Sequence, residues 1–218
     1  MKRNSVLRPA LVILSVISIV FFSGCASKPK LQKERSETFI ADIDGFFVDE
    51  LYLYSRLTIS QPKISDFEFY FYPRSNYISI ETKIGVDYIM LDFSYEERQK
   101  LYEASQKYLE AYNSNSITEA KPKKKNAFYT SSIPLNWGVL GYSHSTVIPY
   151  MTNIEFLEKD KPYFLLKFES ITDSQDNSTS PAFSIYISPS QWQKIFEICN
   201  QENLEAQVDE ILEQAEAF

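Results

Sequence analysis

The chain has 218 residues, 44% hydrophobic and 15% aromatic, with a formal net charge of −7. That acidic balance repels nucleic acid and anionic lipid, so neither is expected as a general partner. Five glycines, a single histidine (His144) and two cysteines exclude glycine-rich phosphate cradles, multi-histidine metal sites and Cys-x-x-Cys sites.

Residues 1–24 read as a secretory leader. Lys2, Arg3 and Arg8 give a basic start, Ala10 to Phe22 form a 13-residue apolar run, and Ser23-Gly24 is a small-residue exit. The run is too short to span a bilayer, which needs about 20 residues. Ser23-Gly24-Cys25 resembles the lipobox of bacterial lipoproteins, with Phe22 where that motif usually has Leu. The loose lipobox and the Phe/Tyr/Ser/Lys-rich composition are similar to those of spirochaete lipoproteins. The resemblance implies cleavage before Cys25, a diacylated thiol there and an acylated new N-terminus. It therefore implies a chain anchored in the cell envelope through acyl (palmitate-type) chains. Ala26 stands where Asp would mark inner-membrane retention, which favours the outer membrane. Loss of the leader leaves 194 residues and, without its three basic side chains, a charge of about −10. With Cys25 lipidated, Cys199 has no intramolecular disulfide partner, and its place on a helical apolar stripe predicts a small core residue.

Residues 25–38 are polar, mixed in charge and aperiodic, as a flexible tether would be, reaching roughly 45 Å if extended. Asp42-Ile43-Asp44-Gly45 hints at a calcium loop. With Gly45 at loop position 6, however, positions 1 and 12 would be Ile40 and Leu51, which cannot ligate. A solvated acidic turn that includes Asp49 and Glu50 is the expectation. Period-2 runs then predict strands over Leu51–Ser60, Asp66–Phe71, Tyr77–Thr82 and Asp87–Phe93, with a turn at Pro73-Arg74-Ser75-Asn76. Ser94-Tyr95-Glu96-Glu97 is a capping box: the Ser94 oxygen accepts the Glu97 amide while the Glu97 carboxylate reaches back. The helix it opens carries Leu101, Tyr102, Tyr108, Leu109 and Tyr112 at helical spacing and ends at Asn113–Ser116. Lys121-Pro122-Lys123-Lys124-Lys125 lies in a linker, read as a solvated connection.

The β pattern returns over Trp137–Val147, Tyr150–Leu157, Tyr163–Ile171 and Phe183–Ile187, interrupted by the polar loop Thr172–Pro181. A second helix opens at Ser188 with Pro189 at its first position and Gln191 at its third. Its stripe is Trp192, Ile195, Phe196 and Cys199, and an amphipathic tail follows with Leu204, Val208, Ile211, Leu212 and Ala215 on one side. The two strand-to-helix junctions match at an offset of 94. IMLDFSYEERQKLYE (Ile89–Glu103) lies over FSIYISPSQWQKIFE (Phe183–Glu197) with strand and helix phases kept, which points to an internal duplication.

The predicted fold is α+β: two tandem antiparallel-sheet-plus-helix units, ββββα in order, at 39–113 and 128–200. A linker at 114–127 joins them and a C-terminal amphipathic helix follows at 201–218. The order ββββα used twice is similar to that of the PUR-repeat family, which binds single-stranded nucleic acid. The likeness is one of element order, and the acidic charge argues against that activity here. Trp137-Gly138-Val139-Leu140-Gly141-Tyr142 is a distinctive stretch, and Trp137, Tyr142 and His144 are the candidate ligand-binding residues. Nothing singles out a catalytic residue, a metal site or a cofactor. The expected role is a lipid-anchored envelope protein acting as a non-catalytic binding or assembly module. Exposed sheet edges, aromatic side chains and the amphipathic tail would meet an envelope protein partner. The alternatives are a solute-binding lipoprotein with a pocket between the two units, and an envelope hydrolase.

Overall fold

A computed structural model describes residues 38–218, except 59, 119–120, 159, 173–176 and 218. The leader, Cys25 and nearly all of the predicted tether lie outside the described residues. The strands are β1 (Phe46–Leu57), β2 (Lys63–Tyr72), β3 (Tyr77–Ile84) and β4 (Asp87–Ser94), then β5 (Tyr129–Gly138), β6 (His144–Glu158), β7 (Lys161–Phe168) and β8 (Phe183–Ile187). Between the two sets lies α1 (Tyr95–Asn113); α2 (Pro189–Ile198) and α3 (Gln201–Glu216) end the chain.

All neighbouring strands pair antiparallel in chain order. β1 also pairs with β8, through Tyr54↔Tyr186 to Leu57↔Phe183, so the sheet closes into a barrel. Alternation decides what lies inside. Phe67, Phe69 and Phe71 of β2, Ile89, Leu91 and Phe93 of β4, and Phe183, Ile185 and Ile187 of β8 all point inward and are buried. The intervening positions carry Asp66, Glu68, Glu81, Lys83 and Glu155 outward. Apolar-in and charged-out is the reverse of a barrel embedded in lipid. Bulges at Phe47/Asp49 and Phe156/Glu158 bend the long strands β1 and β6. Pro134 and Pro149, which have no N–H to give, lie beyond the ends of the β4–β5 and β6–β7 ladders.

The barrel has two unlike ends. β4 and β8 both run toward the end where α1 and α2 begin, and the β2–β3 turn lies there too. α1 packs on β4, β5 and β7, α2 on β1 and α1, and α3 on α2. Tyr108 of α1 packs on Phe164 and donates to the Pro162 carbonyl at 2.9 Å. Lys194 of α2 pairs with Asp49 at 3.0 Å, and the Gln191 amide donates to the Tyr52 carbonyl at 2.8 Å. Leu204 and Val208 bring α3 into the same apolar core. The far end carries the β3–β4 and β5–β6 turns.

This overturns the predicted fold class of two tandem sheet-plus-helix units. The chain from Arg35 to Phe218 forms one compact unit, and its eight strands enclose one interior. The physical reason is edge pairing. Each four-strand set would leave two rows of unpaired backbone groups, and joining β4 to β5 and β8 to β1 satisfies both. A period-2 pattern fixes which face is apolar but not which edges meet. Closure also removes the exposed sheet edges on which partner binding was expected to rest.

Two local expectations need correction. Trp137–Val147 is not one strand: β5 ends at Gly138, residues 139–143 form a turn, and β6 starts at His144. The first capping box is half formed. Ser94 accepts the Glu97 amide at 3.2 Å, but the Glu97 carboxylate turns to the β5–β6 wall, where Tyr129, Ser131 and Tyr150 donate to it. At Ser188 and Gln191 both halves are present. The linker lysines Lys121, Lys123, Lys124 and Lys125 are exposed, and Asn153 of β6 donates to the Lys123 carbonyl and to Asn126 Oδ1. In the acidic turn, Asp42 and Asp44 clamp Arg74 at 2.6 and 2.8 Å.

Candidate functional site

A cavity of about 520 Å³ lies at the helix-covered end, between the barrel interior and the helices. That volume is within the roughly 300–1,000 Å³ typical of small-molecule sites. Inward residues of the barrel form its floor: Leu53, Phe67, Phe69, Ile78, Ile80, Phe93, Leu166, Ile185 and Ile187. α1 contributes Arg98, Gln99, Leu101 and Tyr102; α2 contributes Trp192, Ile195, Phe196 and Cys199; the start of α3 contributes Asn200, Gln201 and Glu202. Gln99, Tyr102 and Glu202 are solvent-exposed and mark the mouth.

The cavity exists because two helices meet over a barrel whose inward strand residues cannot reach them everywhere. Tyr102 of α1 packs edge-on against Phe196 of α2, 4.8 Å between centroids, and Trp192 stacks on Phe196 at 5.4 Å. These rings hold the helices together above the floor. Trp192 also meets Phe164 edge-on at 5.0 Å, which fixes its indole.

Two polar groups in this apolar lining stand out. Arg98 is 7% exposed, and its guanidinium gives Nη1 to the Asn76 carbonyl and Nη2 to Asn76 Oδ1 (3.0 Å) and Gln201 Oε1 (2.8 Å). All three acceptors are neutral. Among the described residues no carboxylate forms an ion pair with Arg98, and its Nε is buried with no acceptor. Trp192, 3% exposed, likewise buries its indole N–H with none. Burial pulls the Arg98 pKa below its ordinary value, although the group stays cationic in water-accessible pH ranges. Unsatisfied buried donors typically cost about 1–3 kcal/mol each. Cys199 caps α2 beside them, and desolvation pushes its thiol up to about 11, so it is a neutral lining group rather than a nucleophile.

Trp137, Tyr142 and His144 fall at the opposite end. Trp137 points into the barrel and His144 stacks on it, 5.2 Å between centroids. Tyr142 sits on the outside, donates to Glu81 Oε2 at 2.6 Å and meets Tyr88 edge-on. Trp137 and His144 thus come together while Tyr142 does not join them, and none of the three lines the cavity. The two glycines serve the turn. A Cβ on Gly138 would lie 2.2 Å from the Gly141 carbonyl, and Gly141 has φ +130°.

Arg98, Trp192 and Gln201 have no sequence motif to announce them. Arg98 and Trp192 are each the fourth residue of their helices, 94 positions apart.

The fold is a closed eight-stranded antiparallel barrel with a helix-covered cavity, and no solved structure matches the chain. The chain belongs to the family described as "Uncharacterised Treponema protein", which matches residues 30–206, and so is a protein of spirochaete type. It is similar to an "Uncharacterized protein" of Treponema pallidum (strain Nichols), with 29% identity over 153 residues. The match covers 70% of this chain and 56% of the relative, so the chain spans little more than half of that protein's length. Among the described residues no helix is long and apolar enough to cross a membrane.

Proposed function

We propose that this protein is a lipid-anchored envelope protein, held by acyl chains on Cys25, that acts as a non-catalytic binding module for a small apolar ligand. The supporting observation is the cavity of about 520 Å³, walled by phenylalanine, isoleucine and leucine and opening beside exposed Tyr102. Of the roles weighed from the sequence, this is the solute-binding one, moved from between two units to the mouth of one barrel. The leader and lipobox support envelope localisation, with the outer membrane favoured. No nucleic-acid activity is carried over from the PUR-like element order.

The test is titration of the neutral fluorescent probe N-phenyl-1-naphthylamine into the chain from Ala26 onward, a form justified by the self-closing barrel of residues 46–187. Saturable binding that is lost on filling the cavity with Ile80→Trp supports the reading. Probe binding unchanged by that substitution overturns it. A second reading, docking of an envelope protein at the far end, is favoured by one observation: Leu140 is 100% exposed, beside exposed Val139 and Val86. Crosslinking on intact cells from residue 140 distinguishes it.

A further inference from the structure

We propose that the cavity takes a single-chain amphiphile with an anionic head, its chain along the phenylalanine floor and its carboxylate or phosphate at Arg98 and Trp192; this rests on the ligand-binding reading above. The floor of Phe67, Phe69 and Phe93 offers an alkyl chain contact and nothing polar to bond. The two buried polar atoms left without a partner at the helix end are both donors. Arg98 is a buried cation whose three hydrogen bonds all end on neutral oxygens, and its Nε has no acceptor. The Trp192 indole N–H is in the same state, and it is a donor only.

A buried charge without a counter-charge is strongly unfavourable, so an occupant that brings one gains what the protein leaves unsatisfied. A neutral alcohol would meet the donors but leave the charge. A cationic head would be repelled. The repeat strengthens the argument, because Arg98 and Trp192 stand at equivalent positions of α1 and α2 and converge on one cavity. The one carboxylate in the lining, Glu202, is exposed at the mouth and does not pair with Arg98.

The experiment is displacement of N-phenyl-1-naphthylamine from the chain beginning at Ala26 by dodecanoate, dodecyl phosphate, dodecanol and dodecylamine. The proposal predicts that the two anions displace the probe at a concentration at least about tenfold lower than the alcohol, a difference of about 1.4 kcal/mol. The amine should be the weakest. Carboxylate and phosphate arms distinguish a free fatty acid from a single-chain phospholipid as the natural source. Arg98→Met should bring dodecanoate to the level of dodecanol while leaving dodecanol unchanged, and Trp192→Phe should weaken both anions severalfold. Should Arg98→Met fail to fold by circular dichroism, the wild-type ratio and Trp192→Phe still decide. Equal displacement by dodecanoate and dodecanol, or an anion preference untouched by Arg98→Met, overturns the anionic head and leaves the apolar site standing. A probe that binds but is displaced by none of the four chains counts against the ligand-binding reading itself.

Discussion

The two ends of the barrel are built from the same materials and reach opposite states. At the far end Trp137 stacks on His144, Tyr142 bonds to Glu81, and Gly138 presses against the Gly141 carbonyl. At the helix-covered end Trp192 and Arg98 are buried too, yet each keeps a donor with no acceptor, and both residues help line the cavity. Aromatic side chains thus serve closed packing at one end and line open volume at the other. Incomplete satisfaction of two buried donors distinguishes the helix-covered end and supports the site proposed there.

The comparison can be broken in order of effect. Trp137→Ala empties the closed end and should destabilise by about 3–5 kcal/mol in urea denaturation, with probe binding unchanged. Altered probe affinity in that variant would mean the two ends are not independent. Gly138→Ala forces a Cβ to within 2.2 Å of a carbonyl, so the turn must shift, at a cost of about 1–3 kcal/mol by the same assay. Trp192→Phe, by contrast, gives up an N–H that bonds to nothing. Its expected cost is about 1 kcal/mol of lost packing, paired with a clear loss of ligand affinity. Tyr142→Phe removes one partly exposed hydrogen bond, about 0.5–1 kcal/mol, and nothing from binding.

The smallest effect is in the barrel wall. Burial holds the Asp92 carboxyl above its ordinary value of 3.8, against the hydrogen bond from Ser79. A carboxyl whose folded-state pKa is raised binds its proton more tightly when folded. Its contribution is present below the unfolded pKa and is lost as pH rises through the folded value. Asp92→Asn should then raise Tm at pH 7 by no more than about 2–4 °C and leave it unchanged at pH 3, read by calorimetry.

Much of the local structure was legible because it depends on neighbours in sequence. The alternation in Asp66–Phe71 and Asp87–Phe93 places the inward face correctly, and Ser94 and Ser188 do open α1 and α2. What depends on distant partners was not legible. Nothing in residues 46–57 says that Tyr54 will face Tyr186, so closure of the ring could not be read from either half. Glu97 satisfied a local rule on paper, but Tyr129, Ser131 and Tyr150 of a distant hairpin outbid its own helix cap. The Trp137–Tyr142 stretch is distinctive in composition, whereas Arg98 sits in an ordinary amphipathic helix among charged neighbours. Its burial follows only from where α3 lays Gln201 and where the β2–β3 turn lays Asn76.

The chain has two tryptophans, one at each end of the barrel, and so carries its own pair of reporters. Bromine-labelled dodecanoate quenches an indole only on close approach. In Trp137→Phe, where Trp192 is the sole emitter, saturable quenching is predicted; in Trp192→Phe, where Trp137 remains, emission should stay at its unliganded level. Quenching of Trp137, or none in either variant, would contradict a ligand site at the helix-covered end.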